Sequence, residues 1–581
     1  MLQDVKTTEF CKGVIAAGIE SARGAKRGVD APVPPYQTSH RFPPNPSFLQ
    51  NNIRISVPWK PQSIAISLRI KETVLFFLGV VVIYQFGFRS PMLPSLPVVG
   101  AKDGDWMPRL QARWRNFFNI KEALIKSEHE SPGRSRILPL LGNIDIVVLP
   151  RSEIDFVRSP YSSLSSDGHA LDEKQIKYLC EDKRMLDDEQ RSDFNIVLLQ
   201  TLDSRLPDLF DEINRSIQRY WGVDADFKDI CLYDTMYCIV SHVTSHALIG
   251  HTKCTNPDLL PLLCMWHAKQ ISRAGRILSL LWGPVKTVLA TILTIPIYTS
   301  LSKFEAMMRS EIETRIAECE EIWDSRSDFL RRSICRAKMT DDPYLWKSRT
   351  LASRVLLISS AVIPPSCSII TNAILDLVSK QEYIDELRHE IKTNLAEVNG
   401  EWSLSALQKM YKLRSFMLES MRVHSLGTVG HARKVVAKDG SMSPSGIQIP
   451  HGTTTALPSY GVFQDSSVYP DAHEFHPFRF SPNLPFTPSS GCWDCRQRNK
   501  SLLKSMCDLT YGLRLDTYPP RDFVLVDLQL ILAYVVLNYD FGIQSDRPKD
   551  RWRGVTKLLP VNARLRVRKG ERLESKGRVS S

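Results

Sequence analysis

The 581-residue chain is 43% hydrophobic and has a formal net charge of +12. This composition supports one large core or two ordinary ones, and the scattered cations suit a membrane surface or an acidic redox partner better than nucleic acid. Twelve cysteines lie between Cys11 and Cys507 without the regular spacing of a disulfide framework. We therefore expect reduced thiols in a domain that faces the cytosol.

The chain begins with a polar, proline-rich region. Residues 1–61 show little periodicity, which predicts a disordered extension. Residues 73–88, TVLFFLGVVVIYQFGF, are strongly apolar, and residues 64–70 extend them. This length predicts a transmembrane anchor over residues 64–89, although a buried helix has the same pattern. More cations follow the segment than precede it, at Lys102, Arg109, Arg113 and Arg115, so we expect the rest of the chain on the cytosolic side.

Two stretches with prolines come next. Residues 90–100, SPMLPSLPVVG, cannot continue a helix and predict a stiff hinge. Residues 277–301 are apolar, but Lys286, Pro284 and Pro296 lie inside them. A charge and two prolines are costly in a bilayer, so we do not expect a second span there. Ordinary buried core is one alternative.

Three helical patterns occupy the middle of the chain. Residues 351–377 have helical apolar spacing on both sides of Pro364 and Pro365, and two adjacent prolines are expected to kink or break the helix. Residues 382–398 and 404–423 predict amphipathic helices. The second of these carries Glu419 and Arg422 on one face. In a chain so rich in charge, such a pair also arises by chance.

A motif, a loop and an apolar helix follow toward the C-terminus. Residues 475–480, FHPFRF, place Arg479 sixty residues after Glu419. A loop with glycine and prolines begins at Thr510 and leads into residues 523–539, which are apolar at nearly every position. That length favours a helix over a strand. A loop at a helix N-terminus is a common place to hold an anionic or metal-bound group.

The Glu419–Arg422 pair, the FHPFRF motif and the segments between them resemble the cytochrome P450 family, the haem-thiolate monooxygenases. The intervening segments are HARKVV from His431, IPHGT from Ile449 and DSSVYPDAHEF from Asp465, in the family's order. The likeness covers roughly residues 76–567 and points to the fungal secondary-metabolism branch. It implies a mainly α fold with small β-sheets (α+β) over residues 101–568, after the membrane anchor and before a basic tail, residues 569–581. Residues 277–301 would then form a lid over the substrate path.

The resemblance also implies haem as the cofactor. Tyr511, Gly512 and Arg521 are in register with the family's haem-ligand loop, and Arg433 lies in the HARKVV segment. By the same likeness, a structural cluster behind that loop consists of Glu419, Arg422 and Arg479.

The positions that carry the family's chemistry are altered. Tyr518 stands at the metal position of the axial cysteine, and Pro364 stands at the catalytic position of the oxygen-activating threonine. A phenol is a possible iron ligand once the metal displaces its proton, but it is much longer than a thiol. Pro520 removes a backbone N–H near the ligand, Arg514 adds bulk where the family has glycine, and Asp516 replaces a cation. These changes predict impaired activity.

Three interpretations remain open. The first is a membrane-anchored monooxygenase that oxidises a hydrophobic, terpenoid-like metabolite with electrons from an NADPH-dependent flavoprotein reductase. The second is a catalytically inactive relative kept as a membrane scaffold or as a partner of an active enzyme. The third is a local gene-model error, which the irregular insert at residues 481–508 would fit. By resemblance, we expect a single-pass protein of the endoplasmic reticulum whose main domain faces the cytosol, with no nucleic-acid partner.

Overall fold

The computed structural model describes residues 93–141, 144–158, 163–165, 168–169, 172, 175–182, 202–250, 259–281, 283–318, 328–340, 342–481, 521–542 and 547–570. They all fall within one compact unit, Ser90–Ser581. The predicted extension (1–61), the anchor (64–89) and all but the first two residues of the tail (569–581) lie outside the described residues.

Helices make up most of the described residues. In chain order they are α1 (Pro108–Glu130), α2 (Ile154–Arg158), α3 (Ile176–Leu179), α4 (Leu202–Trp221), α5 (Leu232–Ile249), α6 (Leu259–Ser279), α7 (Gly283–Leu293), α8 (Ile295–Ala317), α9 (Phe329–Met339), α10 (Ser348–Ser379), α11 (Ile384–Ala396), α12 (Leu404–Lys409), α13 (Tyr411–Val423), α14 (Ser459–Phe463) and α15 (Arg521–Asn538).

The strands are short and form small sheets. They are β1 (Arg136–Leu140), β2 (Ile144–Val148), β3 (Leu164–Ser165), β4 (Lys228–Cys231), β5 (Gly430–Val435), β6 (Ser441–Met442), β7 (Gln448–Ile449), β8 (Thr454–Leu457), β9 (Tyr539–Phe541), β10 (Arg551–Arg553), β11 (Thr556–Leu558) and β12 (Arg564–Lys569). One sheet has the order β1-β2-β8-β5-β3, with only the β2–β8 pair parallel. The others are β4-β12-β9 and the pairs β6–β7 and β10–β11.

Helix α10 is the centre of the helical core. It packs against α5, α6, α8, α13 and α15. In its most apolar stretch of 18 residues, 83% is buried. A helix with apolar residues on every face is stable only when other elements surround it, which explains this position. The predicted mainly α fold with small sheets is thus confirmed.

Pro364 and Pro365 were expected to kink or break this helix, and they do not break it. α10 continues through both prolines from Ser348 to Ser379. The hydroxyls of Ser360 and Ser368 donate to the carbonyls four residues earlier, at 2.8 and 3.0 Å. An interior proline costs about 3 kcal/mol in an isolated helix, but packing on nearly every side holds this helix together.

The helix predicted over residues 404–423 is divided in two. Met410 separates α12 from α13, with φ −78° and ψ 66°. The carboxylate of Glu390 on α11 accepts the backbone N–H groups of Lys412 and Leu413 at 2.7 and 2.9 Å, and so caps the start of α13. On the other side, the Leu407 carbonyl accepts the Gln529 amide at 2.8 Å. Hydrogen bonds from other helices do not change the spacing of apolar residues along the sequence. The sequence therefore could not predict that this helix is divided.

Two described stretches are long and apolar enough to cross a membrane, by length and composition only: Ser348–Ser379 and Val285–Ala317. The first is the buried α10. The second contains most of α7 and all of α8. In its most apolar stretch of 18 residues, only 28% is buried. That low burial leaves apolar side chains of α7 on the surface, with Val288 at 69% and Ile292 at 58% exposure.

The cysteines follow the expectation only in part. Reduced thiols, outside any disulfide, are found at Cys180, Cys231, Cys238, Cys264 and Cys367. Cys335, however, is disulfide-bonded, which contradicts the expectation of reduced thiols throughout.

Candidate functional site

Glu419, Arg422 and Arg479 meet in a fully buried cluster. One turn of α13 separates the first two, and Arg422 donates to both carboxylate oxygens of Glu419 at 2.7 and 2.8 Å. Arg479 adds a contact of 3.1 Å to each of the same oxygens. Neither Glu419 nor Arg422 has any solvent-exposed surface, so the charges compensate one another away from water.

The remaining donors of the cluster fix the chain that leads into the predicted ligand loop. Arg422 donates to the backbone carbonyls of Phe463, Ala472 and Glu474 at 2.6–2.9 Å. Glu419 also accepts the backbone N–H of His476 at 2.9 Å. One turn of helix therefore holds the loop segment between α14 and Phe480 in place.

One face of α10 is less buried than the rest. Between Thr350 and Val378, the half-buried residues are Leu357, Pro364, Pro365 and Ser368. Their spacing of seven, eight and eleven residues from Leu357 places them on one face. Leu357 packs against a buried cluster contributed by α3, α6, α7 and α8. The end of the face at Leu357 therefore lies against the helices that were predicted as a lid.

Pro364 presents a ring and no hydroxyl on this face. The nearest following hydroxyl, that of Ser366, lies about 200° further around the axis at 100° per residue. Ser366 is only 3% exposed, and its hydroxyl has no hydrogen-bond partner among the residues that the structure describes. It cannot take the place of a hydroxyl at position 364 without a change in the helix.

Arg433 lies on β5, between β8 and the edge strand β3 of the five-stranded sheet. It is 6% exposed, and its carbonyl accepts the Thr455 hydroxyl of β8 at 3.3 Å. The β5–β8 register shifts between Gly430 and Arg433, and His431 within that irregularity has φ +52°. Left-handed backbone in a residue other than glycine is uncommon and often marks a functional region. The sequence shows the HARKVV letters but gives no sign of this strain.

A second buried ionic network was not foreseen from the sequence. His424, just after α13, contacts Asp376 of α10 at 2.9 Å and Asp550 at 3.1 Å. Lys557 of β11 approaches Asp550 at 2.7 Å, and Arg547 approaches Asp376 at 2.7 Å. These residues are spread over almost two hundred positions, and none forms a motif with its sequence neighbours.

The network joins the β10–β11 hairpin to α10 and α13. The backbone adds two bonds nearby, from Lys557 N–H to the Leu426 carbonyl at 3.1 Å and from Thr428 N–H to the Val555 carbonyl at 2.9 Å. Burial would raise the pKa of Asp376, but the neighbouring His424 and Arg547 lower it below its usual value. Burial also lowers the pKa of Lys557. The folded state therefore favours the ionised carboxylate of Asp376 over its protonated form.

The predicted ligand loop is outside the described residues. Tyr511, Gly512 and Tyr518 belong to that segment, and so does the side chain of Arg521, whose backbone begins α15. The helix expected after the loop is present as Arg521–Asn538 and packs against α10 and α13. In the part that the structure describes, no three His, Cys, Asp or Glu side chains are grouped to hold a metal ion. A haem iron needs only one axial protein ligand.

Helix α15 also buries a carboxyl group within its otherwise almost wholly apolar sequence. Asp527 is 6% exposed, and burial raises its pKa well above the usual value, against the opposing charge of Arg205. Arg205 donates to the carbonyls of Ala247 and His246 at 2.5 and 2.8 Å. The arginine therefore has backbone partners of its own.

Comparison with protein families finds one model that matches more than half of the chain. The model described as Cytochrome P450 matches residues 180–490. The cytochrome P450 monooxygenase polB of Polytolypa hystricis (strain UAMH7299) is 26% identical over 520 residues, covering 85% of this chain and 97% of the relative. The cytochrome P450 monooxygenase fsoD of Humicola fuscoatra is 27% identical over 535 residues, with coverages of 85% and 97%.

Solved structures share the fold at lower identity. The retinoic acid-bound cyanobacterial CYP120A1 aligns with a TM-score of 0.55 and 16% identity, covering 82% of this chain and all of the other. The cytochrome P450 CYP102L1 aligns with a TM-score of 0.58 and 15% identity, covering 83% of this chain and all of the other.

Proposed function

The chain belongs to the cytochrome P450 family, and from this membership we propose a monooxygenase scaffold of fungal secondary metabolism whose oxygen chemistry is impaired. The substrate class is a hydrophobic, terpenoid-like small molecule, and an NADPH-dependent flavoprotein reductase supplies the electrons to whatever activity is retained. The fungal relatives named above support the setting, because each is called a monooxygenase.

The observation that carries the impairment is the place of Pro364. It lies on the half-buried face of α10, two turns from Leu357, where the family's threonine would stand. A proline has neither a hydroxyl nor a backbone N–H, so it cannot hold or pass a proton there. Tyr518, at the position of the axial cysteine, is a second change in the same direction.

The described residues fit a haem in part. The half-buried face of α10 is mainly apolar, and Arg433 offers a buried cation that would hold a propionate. The axial donor would be the phenol of Tyr518, which must lose its proton to bind iron. When bound, a haem supplies the oxygen-activating chemistry of the family.

The chain's own residues have supporting roles in this proposal. Glu419, Arg422 and Arg479 hold the segment that leads into the ligand loop. Leu357 on the α10 face packs against a cluster to which α7 and α8 contribute, and in this proposal these helices shield the face from water. Pro364 offers no proton donor, and the Ser368 hydroxyl on the same face donates to the Pro364 carbonyl, so hydrogen-bonded delivery of protons at position 364 depends on water or on the substrate.

The runner-up is an inactive relative that serves as a membrane scaffold or as the partner of an active enzyme. The intact Glu419–Arg422–Arg479 cluster favours it, because such a cluster preserves the fold whether or not the chemistry survives. A gene-model error in the insert at residues 481–508 is the third alternative. Sequencing the transcript across residues 480–526 decides that point.

We place the protein in the endoplasmic reticulum membrane, with one span at residues 64–89 and the main domain in the cytosol. The exposed apolar residues of α7 support an additional surface contact with lipid, because exposed apolar stripes mark interaction sites. This proposal also divides the chain into an extension, an anchor, a hinge (90–100), a cytochrome P450-like domain (101–568) and a tail.

The iron spectrum tests the proposal. We expect full-length protein to purify with little haem, and its reduced carbon monoxide complex to lack the red-shifted band of a thiolate ligand. A substoichiometric haem content with a phenolate- or histidine-type spectrum supports impairment. A full complement of thiolate-ligated haem in a chain with a verified sequence contradicts it.

A further inference from the structure

The segment that carries α3 ends in two carboxylates with different surroundings. Asp182 is 2% exposed, and its side chain accepts the Tyr344 hydroxyl at 3.0 Å and the Arg354 Nε at 2.9 Å. Glu181, directly before it, has a side chain that is 39% exposed and binds Arg349, which is 38% exposed, through two contacts of 2.5 and 2.7 Å. Salt screens an exposed ion pair far more than a buried one. The two adjacent contacts therefore differ in how easily they open.

Arg349 lies in the first turn of α10 and joins two other elements. Besides Glu181, its guanidinium contacts Glu305 at 3.0 Å and Ser302 at 3.2 Å, both on α8. Glu305 keeps a second cation, Arg309, at 2.8 Å. In the part of the chain that the structure describes, Glu181 has Arg349 as its only ion-pair partner. Loss of the arginine contact would therefore release the α3 segment but leave α8 with a counterion.

The helix α3 makes few contacts of its own. It has four residues, and its apolar side chains Ile176 and Leu179 pack in one cluster with Ile297 of α8 and with residues of α6 and α7. Lys286 of α7 lies over the Tyr178 ring at 5.8 Å. A helix this short is not stable by itself. The position of α3 therefore depends on these contacts and on the two carboxylates that follow it.

The same cluster covers one end of the half-buried face of α10. Leu357 packs against the cluster, so a movement of α3 that takes Ile176 and Leu179 out of it loosens the cover of that end. Arg349 and Pro364 are fifteen residues apart, which is about 22 Å along the helix axis. A change at Arg349 thus leaves the position of the family's threonine untouched.

We propose that the Glu181–Arg349 ion pair is a salt-sensitive latch on the α3 segment. When the pair opens, residues 175–181 move away from α6, α7 and α8, while the buried bond between Asp182 and Arg354 holds the end of the segment in place. The moving part is α3 and not α7 or α8. The movement itself needs no cofactor. Its consequence, control of access to the half-buried face of α10, rests on the function proposed above.

Hydrogen exchange tests the latch in the full-length protein in detergent. The backbone N–H groups of Tyr178, Leu179 and Cys180 carry the hydrogen bonds of α3, so their exchange reports its opening. Mass spectrometry follows a peptide that contains residues 175–182 and a second peptide from α8, at low and at high sodium chloride concentration. Circular dichroism establishes that each variant is folded.

We expect high salt to speed exchange in the α3 peptide of the parent about two- to five-fold, the range that an exposed ion pair supports, and to leave α8 unchanged. Glu181→Gln should exchange at the faster rate at both salt concentrations, and adding Arg349→Gln should change nothing further, because the two residues form one contact. Glu397→Gln, in the exposed pair with Lys409, serves as the control and should keep the parental response. Salt-independent exchange in the parent, or equal acceleration in α8, would overturn the latch.

A second measurement separates the latch from its consequence. Leu357→Cys in the full-length chain is treated with N-ethylmaleimide, and peptide mass mapping follows that one position among the native cysteines. Labelling should be faster at high salt, and faster at either salt concentration when Glu181→Gln is also present. Constant labelling while α3 exchange accelerates would overturn the control of access. Neither measurement uses haem, so a failure of the proposed function, read from the iron spectrum, is a separate result.

Discussion

The guanidinium Nε of Arg479 lies 3.1 Å from each carboxylate oxygen of Glu419, sixty residues earlier in the chain. Arg422 occupies the same carboxylate from within its own helix. One buried anion therefore satisfies two arginines from separate elements, and both arginines use their other N–H groups on backbone carbonyls. The position of the segment before the ligand loop therefore depends on this one carboxylate.

Removal of this carboxylate should cost more than removal of any surface carboxylate. Glu419→Ala leaves two buried cations without compensation, which costs on the order of 3–5 kcal/mol. Urea unfolding of the purified variant, followed by circular dichroism, should show a midpoint far below that of the parent, and the yield of folded protein should fall.

Glu397→Ala is the matched control. Glu397 pairs with Lys409 at 2.7 Å, but both side chains are about half exposed. Exposed pairs contribute little, so its unfolding midpoint should stay at the parental value. Equal midpoints for the two variants would mean that the Glu419 cluster contributes no more than a surface pair.

The network around Asp376 predicts an acid-dependent loss of stability. Folding lowers the pKa of Asp376 below the unfolded value of about 3.9. A depressed carboxyl pKa gives stability that is complete above the unfolded pKa and is lost as pH falls through the folded pKa. The parent should therefore lose free energy of unfolding below about pH 5 more steeply than Asp376→Asn.

Urea midpoints measured from neutral pH down to the acid transition check this prediction. Asp376→Asn should also be less stable at neutral pH, because His424 and Arg547 each lose one of two anionic partners and keep only Asp550. Asp385→Asn, at a side chain that is 95% exposed, should follow the parental curve. Parallel acid curves for the parent and Asp376→Asn would assign the acid sensitivity to other groups, such as Asp550.

The sequence predicts those features that recur with a regular period or that follow the motif order of a known family. The apolar residues of α10 and α15 indicate buried helices, and Glu419, Arg422 and Arg479 are found together as their motifs imply. The sequence fails where distant groups decide the outcome. Glu390 caps α13 from another helix, and the packing around α10 outweighs Pro364 and Pro365. The Asp376–His424–Asp550 network depends on three chain segments, so no local pattern could reveal it.

Asp527 should destabilise the fold at neutral pH. Folding raises its pKa, so the folded chain retains a proton that the unfolded chain releases. Stability from such a group is highest below the unfolded pKa and declines as pH rises. Asp527→Asn removes the ionisation, and Arg205 keeps its carbonyl partners. The free energy of unfolding at pH 7 should therefore be higher in the variant.

The difference between Asp527→Asn and the parent should shrink as pH is lowered below about 3, where the carboxyl group is largely protonated in both states. Urea unfolding at the two pH values is sufficient. A variant that is less stable than the parent at pH 7 would show that Asp527 is ionised and usefully paired with Arg205.

Deletion of residues 1–89 should move the chain from the membrane fraction toward the soluble fraction. Residual attachment is expected through the exposed apolar residues of α7, and Val288→Glu with Ile292→Glu should reduce it further. Met339→Glu is the control, because Met339 is 71% exposed but lies on α9. Sedimentation after alkaline carbonate measures each form, and a deletion form that stays wholly in the membrane contradicts the single span.

Restoration of haem binding should require several substitutions together. Tyr518→Cys alone returns the donor atom but leaves Pro520 and Arg514 in the loop. Adding Pro520→Gly and Arg514→Gly returns backbone freedom and space. Haem content should therefore rise mainly in the triple variant, and its reduced carbon monoxide complex should show the thiolate band. A triple variant without haem would mean that divergence extends beyond the loop and would favour the scaffold interpretation.

Turnover should still lag in the triple variant, because position 364 has no hydroxyl and the Ser368 hydroxyl on the same face of α10 donates to the Pro364 carbonyl at 3.0 Å. Pro364→Thr supplies one at that position and returns the N–H that can bond to the Ser360 carbonyl, while Pro365 remains. Reductase-driven oxygen consumption should rise from the triple to the quadruple variant at equal haem content. Pro364→Val restores the N–H without the hydroxyl and is the matched control. If valine raises turnover as much as threonine, then the effect is one of helix geometry and not of proton delivery. If the unmodified chain already turns over at the quadruple variant's rate, neither Tyr518 nor Pro364 impairs it.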